Sequence, residues 1–151
     1  MSGPLPVPSA RLKVLLVEDS LAMQETLTRT LQTVPGLESA GVAWTAAGGI
    51  AAFESRRPDV VILDLVLQAG SGFEVLLRIK EHTPACQVLV FTGHDEDSFR
   101  KRCLAAGADY FLSKNRDHGE LLHVLRNIRA HAAPPPAPSA NDAIPCPPPG
   151  P

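Results

Sequence analysis

Short runs of aliphatic and β-branched residues recur along this chain, and each gives way to a longer stretch whose apolar positions lie three to four residues apart. The short runs occupy residues 12–17, 38–44, 60–63, 88–91 and 110–112 and predict five strands. From Val60 to Leu63 and from Val88 to Phe91 no polar residue intervenes, the pattern of strands covered on both faces. The intervening stretches predict helices over residues 21–34, 46–57, 73–82, 96–106 and 120–131, the first with Met23, Leu27, Leu31 and Val34 on one stripe. Pro35-Gly36, Pro58, Pro84 and Gly107 fall at or just beyond helix ends, where such residues stop a helix. The alternation predicts an α/β fold, five βα units on a parallel sheet with helices on both faces.

Proline bounds the folded part. Of 15 prolines, three lie in residues 4–8 and nine in residues 134–151, so residues 11–131 read as one domain. A flexible N-terminal segment, residues 1–10, is expected before it, and a proline-rich disordered tail, residues 132–151, after it. Pro135 and Pro138 have PxxP spacing, but no Arg or Lys flanks them, so they read as plain extended coil. With 14 Lys+Arg against 16 Asp+Glu there is no basic excess, and neither nucleic acid nor a membrane surface is an expected partner. No apolar run is long enough to span a bilayer and no signal peptide is apparent, which predicts a cytoplasmic protein. Cys86, Cys103 and Cys146 lack disulfide or zinc-site spacing, which suits a reducing compartment.

In open α/β sheets, ligands bind beyond the carboxyl ends of the strands. Here the first strand is followed by Glu18 and Asp19, the third by Asp64, the fourth by Thr92 and the fifth, after Ser113, by Lys114. If the first and third strands are neighbours, three carboxylates, a hydroxyl and an ammonium converge on one crevice. Carboxylates that close repel one another and require a cation. Mg²⁺ is the expected cofactor, because it takes carboxylates, a carbonyl and water, and habitually carries phosphoryl oxygens. Asp64 is then a natural nucleophile, since a carboxylate can accept a phosphoryl group as an acyl phosphate. Thr92 can donate to one phosphoryl oxygen and Lys114 can neutralise another.

These residues resemble the receiver domains of bacterial two-component response regulators over about residues 11–131. The resemblance is carried by Val17-Glu18-Asp19-Ser20, Leu63-Asp64-Leu65, Gly72, Thr92-Gly93 and Gly107-Ala108-Asp109-Tyr110-Phe111-Leu112-Ser113-Lys114. It implies a flavodoxin-like (βα)5 fold with strand order 2-1-3-4-5, which supplies the adjacency assumed above. It also implies that Asp64 takes a phosphoryl group from a phosphohistidine on a sensor histidine kinase or a histidine phosphotransfer protein. Asp19, Asp64 and the Val66 carbonyl would be metal ligands, Glu18 would bind through water, and Thr92 and Phe111 would move together as a switch. Such a protein modifies itself rather than turning over an external substrate.

Three positions depart from the family pattern. Asn115 replaces the proline that usually follows the lysine after a cis bond; before a non-proline that bond costs about 2.5–4 kcal/mol, so a trans bond and a differently built loop are expected. Gln68 replaces another common proline, leaving the loop through Gly70-Ser71-Gly72 freer. Phe111 replaces a common tyrosine and cannot signal through a hydroxyl. A haloacid-dehalogenase-like phosphatase is opposed by Val66, which stands where that family needs a second Asp. A Rossmann or P-loop site is opposed by acid after the first strand. His94 reads as an exposed loop residue, and Arg100-Lys101-Arg102 as a solvated helix face. Leu21, Ala22 and Met23 cannot all turn inward and are candidate docking residues for the phosphohistidine partner. No output domain is recognisable after residue 131, so a stand-alone receiver is expected, signalling to an unidentified downstream protein by docking or relay. The alternative is a degenerate receiver serving only as an interaction module.

Overall fold

The structure is a computed structural model that describes residues 11–131. The N-terminal segment, the proline-rich tail with its PxxP and Cys146 lie outside the described residues. The elements run β1 Leu12–Val17, α1 Leu21–Gln32, β2 Leu37–Ala43, α2 Ala46–Arg56, β3 Val60–Leu63, α3 Gly72–His82, β4 Gln87–Thr92, α4 Asp97–Ala105, β5 Tyr110–Ser113 and α5 His118–His131. All strands pair in parallel in the order β2-β1-β3-β4-β5, as expected.

Side-chain alternation along the strands divides the interior into two layers. Leu15, Val17, Val61, Leu63, Val88 and Val90 face one side and pack with Phe53 of α2, Val75, Leu76 and Ile79 of α3 and Cys103 of α4. Val14, Leu16, Val60, Ile62, Leu89 and Phe91 face the other, against Leu27 and Leu31 of α1 and Leu121, Leu125 and Ile128 of α5. Burying each such aliphatic side chain contributes about 1.5–3 kcal/mol, so both faces hold the sheet. Register then sets the site. Val17 pairs with Leu63 and Thr92 with Ser113, and the Asp64 amide donates to the Val17 carbonyl at 3.0 Å. The residues following β1, β3, β4 and β5 therefore emerge at one edge of the sheet.

The element ends differ from expectation by a residue or two. Helix α1 stops at Gln32 because the Thr33 and Val34 amides bond three residues back, in a tightened last turn; Val34 stays buried. Strand β2 ends at Ala43, whose carbonyl accepts from Glu18, and Thr45 caps α2, so Trp44 lies outside the strand and is 54% exposed. Helix α5 begins at His118 rather than Glu120, since the Glu120 and Leu121 amides already bond to the Asp117 carbonyl.

Candidate functional site

Glu18, Asp19 and Asp64 come together as the sequence predicted, each offering a carboxylate oxygen within 4.8 Å of the others. Glu18 and Asp64 are buried and Asp19 is exposed. The Lys114 ammonium donates to Glu18 Oε1 at 2.7 Å and to Asp64 Oδ2 at 2.9 Å. The other Glu18 oxygen accepts the Ser20 amide at 3.0 Å, and its carbonyl accepts from Gln24 Nε2 at 2.7 Å. Both Glu18 oxygens are thus engaged by the protein, whereas the Asp19 carboxylate accepts no hydrogen bond among the described residues.

Burial pushes the Glu18 carboxyl above its ordinary range, and the bonds from Lys114 and Ser20 only partly oppose this. Burial also acts to depress Lys114, but its hydrogen bonds to Glu18 and Asp64 outweigh that, so its ammonium is held more tightly than usual. Three acidic groups face one cation. An all-oxygen, acidic cluster of this kind fits a hard divalent ion such as Mg²⁺.

The loop after Asp64 is pinned rather than free. Val66 and Ser71 form an antiparallel bridge, the Gly72 amide donates to Leu65, and Ala69 accepts from Ala46. Ser71 and Glu74 complete a reciprocal cap on α3. A Cβ at Gly72 would lie 1.9 Å from the Asp64 carbonyl, so only glycine permits this approach. The Val66 amide lies 3.4 Å from Asp64 Oδ1.

Thr92 is fully buried at the end of β4, its hydroxyl accepting from the His94 amide at 3.2 Å and its carbonyl from the Lys114 amide at 2.8 Å. His94 is exposed, as expected, with its ring edge-on to Phe99. The Phe111 ring is packed inside the core, with the Arg100 guanidinium 5.8 Å from its centroid and donating to its carbonyl at 3.3 Å. Arg102 lies over Phe73. All three residues of the basic run on α4 are exposed, as expected, although Arg100 and Arg102 also lie against aromatic rings. Leu21 is 68% exposed, Ala22 is exposed, and Met23 turns toward the core.

No cis peptide bond occurs among the described residues, so Lys114 reaches both carboxylates along a trans backbone. Asp95, Ser113 and Asn115, which sequence reasoning did not assign to the site, tie the segment around Lys114 to the loop between β4 and α4. Their only sequence signal is nearness to Thr92 and Lys114.

The family model of the response regulator receiver domain matches residues 14–126. The chain is 38% identical over 125 residues to the KDP operon transcriptional regulatory protein KdpE of Escherichia coli, covering 80% of this chain and 52% of KdpE. It is 34% identical over 122 residues to a cyclic di-GMP phosphodiesterase of Thermotoga maritima, covering 78% of this chain and 32% of that enzyme. It thus spans about a third to a half of these curated relatives. Among solved structures, a two-component response regulator of the LuxR family from Aurantimonas superposes with a TM-score of 0.74 at 27% identity, over 80% of this chain and 86% of the other. No helix among the described residues is long and apolar enough to cross a membrane. Shared fold, matched sequence and an acidic cluster at the strand ends agree, and the chain belongs to the response regulator receiver domain family.

Proposed function

We propose that this chain is a Mg²⁺-dependent phosphoryl acceptor whose acceptor is Asp64. The observation that carries the reading is the Lys114 ammonium held between Glu18 and Asp64, with Asp19 beside them. An Asp64 oxygen attacks the phosphorus of a phosphohistidine; the N–P bond breaks, its electron pair returns to the imidazole, and an acyl phosphate forms. Lys114 neutralises one phosphoryl oxygen, and the Thr92 hydroxyl donates to another. Asp19, Asp64 and the Val66 carbonyl would hold the ion, and Glu18, with both oxygens engaged by the protein, would act on it only indirectly. When bound, Mg²⁺ offsets the acidic charge and polarises a phosphoryl oxygen.

The donor is a sensor histidine kinase or histidine phosphotransfer protein that docks beside the crevice on Leu21 and Ala22, apolar and exposed on the first turn of α1. The phosphorylated state is read by a downstream protein on the face of α4, β5 and α5, through Thr92 and Phe111. Because the Phe111 ring is already buried, the response rests on the loop after Thr92 more than on entry of the ring. The test is intact mass spectrometry after incubation with Mg²⁺ and a small phosphodonor. One phosphoryl adduct is expected on the wild type and none on Asp64→Asn; undiminished labelling of that variant overturns the assignment.

A further inference from the structure

The loop that carries Lys114 is joined to the loop between β4 and α4 by contacts that the transfer chemistry does not itself require. Ser113 is buried at the end of β5 and all its polar groups are engaged. Its amide donates to Asp117 Oδ2 at 2.8 Å, and its carbonyl accepts from the Asp117 amide at 2.8 Å. Its hydroxyl accepts from the Asn115 amide at 3.0 Å and donates to Asp95 Oδ2 at 2.6 Å. Asn115 Nδ2 reaches across to the Gly93 carbonyl at 3.2 Å, and Arg116 Nε lies 3.5 Å from the same Asp95 oxygen. The residues before and after Lys114 therefore both grip the loop between β4 and α4.

A proline at position 115 would have no amide hydrogen to give. In this chain that amide fills one acceptor site of the Ser113 hydroxyl, whose single proton is directed at Asp95. We infer that Asp95, Ser113 and Asn115 form a clasp that positions the Lys114 ammonium against Asp64 and so sets the rate of phosphoryl transfer. The inference rests on the acceptor reading above. Lysine places a compact charge on a flexible four-carbon stem, so its tip stays on target only if its root is fixed. Of that root, the Lys114 amide is held by Thr92, and the flanking residues are held by the clasp. The Asp95 carboxyl lies below its usual range, chiefly because the Ser113 hydroxyl donates to it, in keeping with a charge-assisted bond.

The experiment follows single-turnover labelling of the full chain by a small phosphodonor, with Mg²⁺ and donor saturating, by intact mass. Asp95→Ala on the loop and Ser113→Ala inside it should each slow labelling about fivefold, as expected for loss of roughly one hydrogen bond. Asp95→Asn, whose side-chain oxygen still accepts but as a neutral and weaker partner, should slow labelling clearly less than Asp95→Ala does. A merely structural role would lower the melting temperature of the Asp95 variants and leave the labelling rate of folded protein unchanged. Wild-type rates in Asp95→Ala and Ser113→Ala overturn the clasp while the acceptor reading stands. Equal slowing in Asp95→Asn and Asp95→Ala also overturns it, because an acceptor for the Ser113 hydroxyl would then make no difference to the rate. A wild type that never labels overturns the acceptor reading and the clasp with it.

Discussion

Lys114 is the cation that makes burial of Glu18 tolerable, and the consequence is measurable without any phosphodonor. Glu18 is 2% exposed and its carboxyl is already raised by burial against the pull of Lys114. A raised carboxyl contributes stability that is fully present below its unfolded value and is lost as pH rises through the folded one. Lys114→Met removes the opposing charge, so the folded value climbs further and the loss deepens. Breaking a buried pair in this way costs about 3 kcal/mol or more. Melting temperatures taken in chelator from about pH 5 to about pH 8 should therefore fall more steeply for Lys114→Met than for wild type. Lys114 itself is held above its ordinary value of 10.5, so its own contribution fades only at more alkaline pH. Saturating Mg²⁺ should recover much of the difference by supplying positive charge to the same cluster. Parallel pH profiles would show that Lys114 does not hold Glu18. These site residues were legible in the sequence because each stands within two positions of the sharp end of an apolar run. The clasp was not, because Asp95 and Ser113 meet only after two loops fold together, 18 positions apart.

Elements were legible where composition decides them and illegible where single hydrogen bonds do. The strands β3 and β4 announce themselves as unbroken apolar runs, whereas the start of α5 depends on which amides bond to the Asp117 carbonyl. Glycine separates the two kinds of constraint most clearly. Gly72 opens α3 under the Asp64 carbonyl, and its missing side chain is what lets the acceptor loop close. Gly72→Ala forces backbone against backbone, and a destabilisation of about 2 kcal/mol or more is expected, together with slower labelling of Asp64. Gly119 also lies in the first turn of a helix, α5, but a Cβ there meets nothing within 4 Å. Gly119→Ala should be neutral or stabilise by up to about 1 kcal/mol, since alanine is the better helix former. Denaturant unfolding of the two variants measures both effects. A stable Gly72→Ala with wild-type labelling would mean that the loop can close another way.

At the scale of the whole molecule, one sheet carries two apolar layers, and the question is whether the elements over one of them, α2, α3 and α4, give way together. The alternation of strands and helices made the layers legible, but periodicity says nothing about cooperativity. Two thiols report on it. Cys86, just before β4, and Cys103, on α4, are both buried in the layer beneath α2, α3 and α4. Burial pushes the Cys86 thiol up to about 11 and raises that of Cys103 as well. The thiolate is the reactive form, so both are protected by enclosure and by protonation, and alkylation near neutral pH must proceed through opened states. If opening is global, a ligand that binds only the native state slows both reactions by one common factor. That factor is about 100-fold at a ligand concentration of 100 times its Kd. Mg²⁺ with beryllofluoride, a phosphoryl mimic, should therefore retard Cys86 and Cys103 equally, as read by peptide mapping of alkylated protein. If Cys103 continues to label while Cys86 is protected, α4 opens by itself as a local unit. The readout face would then be an independently mobile helix rather than part of one cooperative fold.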